Sequence, residues 1–293
     1  MSKWDKVYLD LCEEILTNGI RVENRTGIDT IKIPFKSFEF DLEEEFPILT
    51  TKFVSFKSAV LEMLWFYQVQ SNDVSWLKER GVKIWDEWRI DDDNIYRIYN
   101  ADGSLKSEKQ FPDGYAGTIG TAYGYIINKF KLTQNLIETL KNNPTDRRMI
   151  MSLWQNDYLP TAVLPSCVWN SMWDVTDGKL NCIVTCRSND VGLGLPFNIT
   201  QYAVLVHMLA QVCNLKVGKL YYNAKDMHIY VNQIEAIKEQ INTYKTQGDF
   251  PAPKLWLNPD VKDFFAFDNS KELKDIKLID YKHHKKIKMD VAV

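Results

Sequence analysis

Residues 187–198 read Arg187-Ser188-Asn189-Asp190-Val191-Gly192-Leu193-Gly194-Leu195-Pro196-Phe197-Asn198. The residues before them alternate like a strand, over 180–187, and those after them are apolar for the length of a buried helix, over 198–213. The quoted stretch is therefore the turn that joins a strand to a helix, with Asn198 near the helix start. One step back, Asp177-Gly178 marks a tight hairpin between that strand and another over 167–175. In the turn, Arg187 and Ser188 offer a charged fork and a hydroxyl suited to a phosphate oxyanion. Asp190 and Asn198 add a carboxylate and an amide, and Gly192 and Gly194 let backbone approach a ligand. Twenty residues before Arg187 a cysteine stands in an apolar setting, Leu164-Pro165-Ser166-Cys167-Val168-Trp169. A cation beside it is expected to depress its thiol pKa. The pairing points to nucleophilic catalysis on a small phosphorylated molecule.

Working outward, a helix is expected over 3–17, a loop at Asn24-Arg25-Thr26-Gly27, and a strand in which Ile31, Ile33 and Phe35 alternate. Phe38 and Phe40 fall out of that phase, which predicts a bulge. Residues 58–70 read as a buried helix with Glu62 inside its apolar run, where a carboxylate is costly unless paired or catalytic. Residues 89–118 are charged and weakly periodic and read as an insertion or mobile lobe. A helix over 132–142, a strand over 149–154, a short strand over 220–223, a polar turn, a helix over 230–244 and a Pro-punctuated tail complete the chain. Strands and helices mixed with hairpins argue for an α+β architecture, and all 293 residues are expected to form a single domain.

Composition narrows the function. Apolar residues at 45% and charged residues at 26% are those of an ordinary globular protein, and a net charge of −3 leaves no footprint for nucleic-acid binding. The basic run from Lys282 to Lys288 reads as a solvated face. Five cysteines (Cys12, Cys167, Cys182, Cys186, Cys213) form no disulfide or zinc pattern, and no run is apolar enough to cross a membrane. With no signal peptide in evidence, a cytoplasmic location and no metal are expected.

The motifs resemble the thymidylate synthase family from end to end. They are NRTG (24–27), FPILTTK (46–52), LEMLWF (61–66), IWDEW (84–88), AYGY (122–125), DRRMI (146–150), Ser166-Cys167, the 187–198 stretch, DMHIY (226–230) and the terminal VAV. Any one alone would be weak; the whole series in order is specific. The resemblance implies a mixed twisted β-sheet flanked by helices and a homodimer packed through sheet faces. It also implies conversion of dUMP and 5,10-methylenetetrahydrofolate into dTMP and dihydrofolate.

Roles follow from the resemblance residue by residue. Cys167 would add to uracil carbon 6, which makes carbon 5 nucleophilic. Glu62 would carry protons with a raised pKa, and Tyr123 would help remove the carbon 5 proton. Arg25, Arg187 and Ser188 would hold the phosphate, with Arg147 and Arg148 reaching across the dimer. Asn189, Asp190, His228 and Tyr230 would complete the nucleotide site, and Asn198 would read the base. The folate would meet Ile84, Trp85, Trp88, Asp190, Leu193, Gly194 and Phe197, with Lys52 at its glutamate tail. Val293 would fold over as a lid.

The pattern also breaks. Val168 stands where the family usually has His after the nucleophile, Met172-Trp173 replace a Gln-Phe, Tyr125-Ile126-Ile127-Asn128 stand where Gln-Trp-Arg usually follows Tyr-Gly, and Phe53 replaces an arginine. A divergent branch from bacilli and their phages shares the valine and resembles the carboxyl-terminal third, notably residues 255–264 and Tyr281-Lys282-His283. Nucleotide hydroxymethylases of the same superfamily also lack the histidine and let water, not hydride, trap the exocyclic methylene. Trp85 and the terminal Val-Ala-Val, which exclude water, favour the synthase.

Overall fold

The computed structural model describes residues 2–100 and 102–291. Helix α1 (Lys3–Asn18) is capped by Ser2, whose hydroxyl accepts from the Asp5 amide at 3.2 Å. Strands β1 (Ile20–Val22) and β2 (Thr30–Asp41) lead to α2 (Phe56–Leu64) and the short α3 (Ser75–Glu79). A two-stranded hairpin of β3 (Ile95–Tyr99) and β4 (Leu105–Gln110) precedes α4 (Gly124–Lys129) and α5 (Leu132–Asn142). There follow β5 (Ile150–Ser152), β6 (Val168–Thr176), β7 (Lys179–Cys186), β8 (Asn189–Asp190), α6 (Gly194–Val212), β9 (Lys216–Tyr230) and α7 (Ile234–Gln247). The tail forms a small sheet of β10 (Lys254–Leu257) and β11 (Ile276–Ile279).

The main sheet runs β1-β2-β9-β7-β6-β5, with β8 also paired to β9. It is mixed: β7 and β8 pair with β9 in parallel and the remaining neighbours are antiparallel. Leu180, Cys182, Val184 and Cys186 of β7 point inward, as do Leu220, Tyr222 and Ala224 of β9. That face packs on α6, which lies between the sheet and α2. Because α6 is enclosed by both, it is buried nearly all round. The opposite sheet face is open: Phe35 and Ile150 are exposed, and Tyr221, Ile183 and Met172 are half-buried.

Several expectations are corrected. The phase change in β2 involves no inserted residue, since pairing with β9 keeps one register from Thr30↔Tyr230 to Asp41↔Lys219. Instead the two strands kink together at Pro34 and Asp226, the latter in the left-handed region at φ 54. Proline brings no N–H to the ladder, and aspartate tolerates that conformation. For the same reason the polar stretch 224–226 is not a turn: β9 runs through it, and α7 starts at Ile234. Helix α6 begins at Gly194, four residues before Asn198, because Pro196 is tolerated in a first turn where its missing N–H has no partner to lose. The helix expected over 58–70 divides into α2 and a π-helical turn over Trp65–Val69. Residues 89–118 contain the β3–β4 hairpin, with a small core of Ile90, Tyr96 and Phe111.

Candidate active site

Cys167 sits just ahead of β6, where the strand emerges from the loop 164–167. Its amide donates to the Tyr123 hydroxyl at 2.8 Å, and its carbonyl accepts from the Arg187 amide at 2.9 Å. The Arg187 guanidinium folds onto the same loop, donating to the Ser166 carbonyl at 3.1 Å and the Pro165 carbonyl at 2.6 Å. Its Nη2 lies 3.7 Å from the Cys167 sulfur. The expected depression of the thiol pKa is overturned: burial raises it, and Arg187, Tyr123 and Arg25 offset only part of that rise. Arg187, Tyr123 and Arg25 are thus the neighbours that favour its thiolate form.

Tyr123 caps α4 at φ 42, a conformation that costs a bulky residue about 1–3 kcal/mol. The ring is held there by stacking on Phe66, with centroids 4.3 Å apart, and by the bond from Cys167. Gly124 follows because a Cβ would lie 2.1 Å from the Ser71 carbonyl oxygen. The Tyr123 oxygen accepts from the Cys167 amide, and its hydroxyl also favours the charged form of the Cys167 thiol as a hydrogen-bonding neighbour.

Glu62, on the inward face of α2, is clamped by two donors: the Trp85 indole N–H on one carboxylate oxygen and the Gln201 amide on the other. Burial raises its pKa to about 7 against the pull of those two bonds. It lines a cavity of about 40 Å³ together with Tyr123, Val168, Asn198, Gln201 and Tyr202, polar enough and large enough for ordered water. The valine that replaces the family histidine is thus one wall of the chamber that Glu62 faces.

Asn198 is oriented by its neighbours. Its Oδ1 accepts from Asn189 Nδ2 and from the Tyr222 hydroxyl, both at 3.2 Å, and its Nδ2 faces Gln201 at 3.4 Å. Asn189 is 2% exposed, and its amide nitrogen donates to Tyr222 and Asn198. Asp190 accepts from the Gly192 and Leu193 amides at 2.8 and 3.1 Å, and its other oxygen accepts from Gln233 at 3.2 Å. The Gln233 side chain packs against the bare Gly192 backbone, where a Cβ would sit 2.4 Å from its oxygen.

Lys52 does not reach out for a glutamate tail. It is buried and donates to the Gly192 carbonyl at 2.6 Å, while Asp5 fixes the preceding Thr50 and Thr51 through their amides and hydroxyls. Burial lowers its pKa to about 8. Tertiary closure over the 190–194 loop makes Lys52 a strut for that loop. Trp85 is buried and meets Trp88 edge to face; Ile84 is exposed, and Trp88, Leu193, Gly194 and Phe197 are half-buried.

At the kink of β9, Asp226 accepts from Lys32 at 2.7 Å and from the Ser188 hydroxyl at 2.6 Å. Its carbonyl holds His228 Nδ1 at 2.9 Å, which leaves Nε2 facing away from the strand's own carbonyl, and Tyr230 stands edge-on to that ring. Arg25 is exposed on its turn, and its charge pulls down the pKa of Cys167 and Tyr230. Arg147 and Arg148 are exposed beyond α5 and hydrogen-bond to none of these residues; Arg148 folds back on Asp146 at 2.7 Å. Val293 lies outside the described residues. The tail before it runs beside the site, with Met289 Sδ 3.9 Å from Lys52 Nζ.

Known proteins resemble this chain over its whole length. The thymidylate synthase family model matches residues 6–293. The thymidylate synthase of Clostridium beijerinckii is 49% identical over 293 residues, covering 100% of both chains, and that of Bacillus phage phi3T is 39% identical over 312 residues, again covering 100% of both. The chain belongs to the thymidylate synthase family. Among solved structures, the thermostable thymidylate synthase A from Bacillus subtilis superposes with a TM-score of 0.83 at 38% identity, covering 99% of each chain. The bacillus and phage relatives match the branch that the sequence of this chain resembles.

Three side chains that hydrogen-bond to the candidate residues are not flagged by the sequence. Gln201 lies three residues after Asn198 on one helix face, a spacing that could have flagged it as a partner of whatever Asn198 serves. Asp226 opens the DMHIY motif, yet its role depends on Pro34 across the sheet. Tyr222 looks like a core residue of β9, and only the folded chain aims its hydroxyl at Asn189 and Asn198.

Proposed function

We propose that this chain methylates dUMP to dTMP in the cytoplasm, with 5,10-methylenetetrahydrofolate as co-substrate and dihydrofolate as co-product. The observation that carries the reading is one constellation: Cys167 bonded to Tyr123, with Glu62 and Asn198 lining the cavity that Tyr123 also faces. Sulfur adds to carbon 6 of the uracil, a C–S bond forms, and the C5=C6 electron pair moves toward the C4 oxygen. Arg187 supports the developing thiolate, and Glu62 serves the O4 proton through cavity water. Tyr123 relays the carbon 5 proton through water. Arg25, Arg187 and Ser188 hold the phosphate, and His228 and Tyr230 hold the ribose hydroxyl.

The folate supplies the one-carbon unit and the hydride. Trp85, Trp88, Ile84, Leu193, Gly194, Phe197 and Asp190 would hold it. The close-packed Gly192 turn and the unpaired buried Gln233 oxygen beside it fit a polar heterocycle at that end. Val293 would close the site against water. The open sheet face with Phe35 and Ile150 supports a homodimer, in which Arg147 and Arg148 cross to the phosphate of the other subunit. The five free cysteines support a reducing compartment, and no helix of the described residues is long and apolar enough to cross a membrane.

Base choice provides the test. The donors on Asn198 Oδ1 orient an amide able to donate to O4 and accept from N3–H, a pattern that cytosine reverses. Asn198→Asp is expected to lower kcat/KM for dUMP about 100-fold or more and to raise the ratio of dCMP to dUMP turnover. An unchanged preference would remove Asn198 from base recognition.

A further inference from the structure

The β3–β4 hairpin contributes no group to the chemistry above, yet it is tied to the site. Lys106 of β4 donates its ammonium to the Thr26 carbonyl at 2.9 Å. That carbonyl belongs to the turn bearing Arg25. The turn is otherwise closed on itself. Asn24 donates to the Ile28 carbonyl at 2.7 Å and accepts from the Thr26 amide and hydroxyl at 2.9 and 2.7 Å, and Gly27 sits at φ 79. Among the described residues, Lys106 supplies the one hydrogen bond that reaches residues 24–27 from outside the turn.

The hairpin's other ties run to the opposite wall. Tyr96 of β3 donates to the Glu87 carbonyl at 3.2 Å, and Trp88 packs against both the hairpin core and the main core. Lys109 donates to the Pro160 carbonyl at 2.6 Å, ahead of the cysteine loop. A guanidinium on an exposed turn loses binding strength to motion unless the turn is held. A charge-assisted bond to its backbone holds it and brings a second cation near the same place.

We propose that Lys106 is a positioning residue for the nucleotide phosphate: by gripping the Thr26 carbonyl it fixes the turn that presents Arg25, and the hairpin straps the phosphate side of the site to the Trp85–Trp88 wall. The inference deepens the proposed function and rests on Arg25 as a phosphate ligand. Steady-state kinetics of the full-length enzyme, with inorganic phosphate as a competitive probe, tests it. Lys106→Met is expected to raise both the KM for dUMP and the phosphate inhibition constant about tenfold, with kcat held within about twofold, and Lys106→Arg is expected to restore both. A KM and phosphate constant within about twofold of wild type, or a fall in kcat alone, would overturn the strap. Arg25→Ala separates the two layers. If it too leaves both constants unchanged, the phosphate reading of Arg25 falls and takes the strap with it; if it weakens both while Lys106→Met is silent, only the strap falls.

Discussion

Cys167→Ala is expected to lower turnover at least about 10,000-fold while dUMP still binds within about threefold of wild type. The reason is chemical. Carbon 5 of uracil becomes a nucleophile only after something adds at carbon 6, and no other described group is both placed and able to do so. The other four cysteines are buried, whereas Cys167 is half-exposed beside Arg187. Binding survives because the side chains proposed for phosphate, ribose and base are distinct from the thiol. Titration calorimetry with dUMP beside a turnover assay separates the two quantities. Residual activity within about tenfold of wild type would exclude Cys167 as nucleophile.

Glu62→Gln is the second large effect, and it moves rate and stability in opposite directions. Without an ionisable proton carrier, kcat is expected to fall about 100- to 10,000-fold. Meanwhile the buried carboxyl titrates at about 7 in the folded chain against a usual 4.5. A folded value above the unfolded one means the protonated form is favoured by folding. The contribution of Glu62 to stability is therefore complete below about 4.5 and is lost as pH rises through about 7, a change of about 3 kcal/mol. A glutamine keeps the shape, and the Gln201 amide can turn to meet it. The variant should then be more stable than wild type at pH 8, with the gap closing toward pH 5. Denaturant unfolding at both pH values measures it; an equal gap at both would show that Glu62 is not held protonated by burial.

What the chain discloses in advance depends on how local the cause is. The inward row Leu180, Cys182, Val184 and Cys186, the Asp177-Gly178 hairpin turn, with φ 51 and 70, and the span of α5 are written in neighbouring residues. The kink at Asp226 is not, because it exists only opposite Pro34 on a strand far away in sequence. Lys52 reads as a free cation until the Gly192 carbonyl closes on it. The sign of the Cys167 shift is hidden for the same reason: Arg187 is visible as a charge in the sequence, whereas the burial that outweighs it is a property of the assembled site. Likewise residues 89–118 look merely charged, and the hairpin they form is revealed by pairing such as Arg97↔Glu108.

Val168 gives the account its most exposed point, since an apolar wall beside Glu62 could alter how water is controlled in that chamber. The most direct measurement is to mix the protein with dUMP and 5,10-methylenetetrahydrofolate, follow dihydrofolate by absorbance, and weigh the nucleotide product by mass spectrometry. Dihydrofolate formed in step with dTMP is the predicted result. Hydroxymethyl-dUMP with tetrahydrofolate left unoxidised would contradict it.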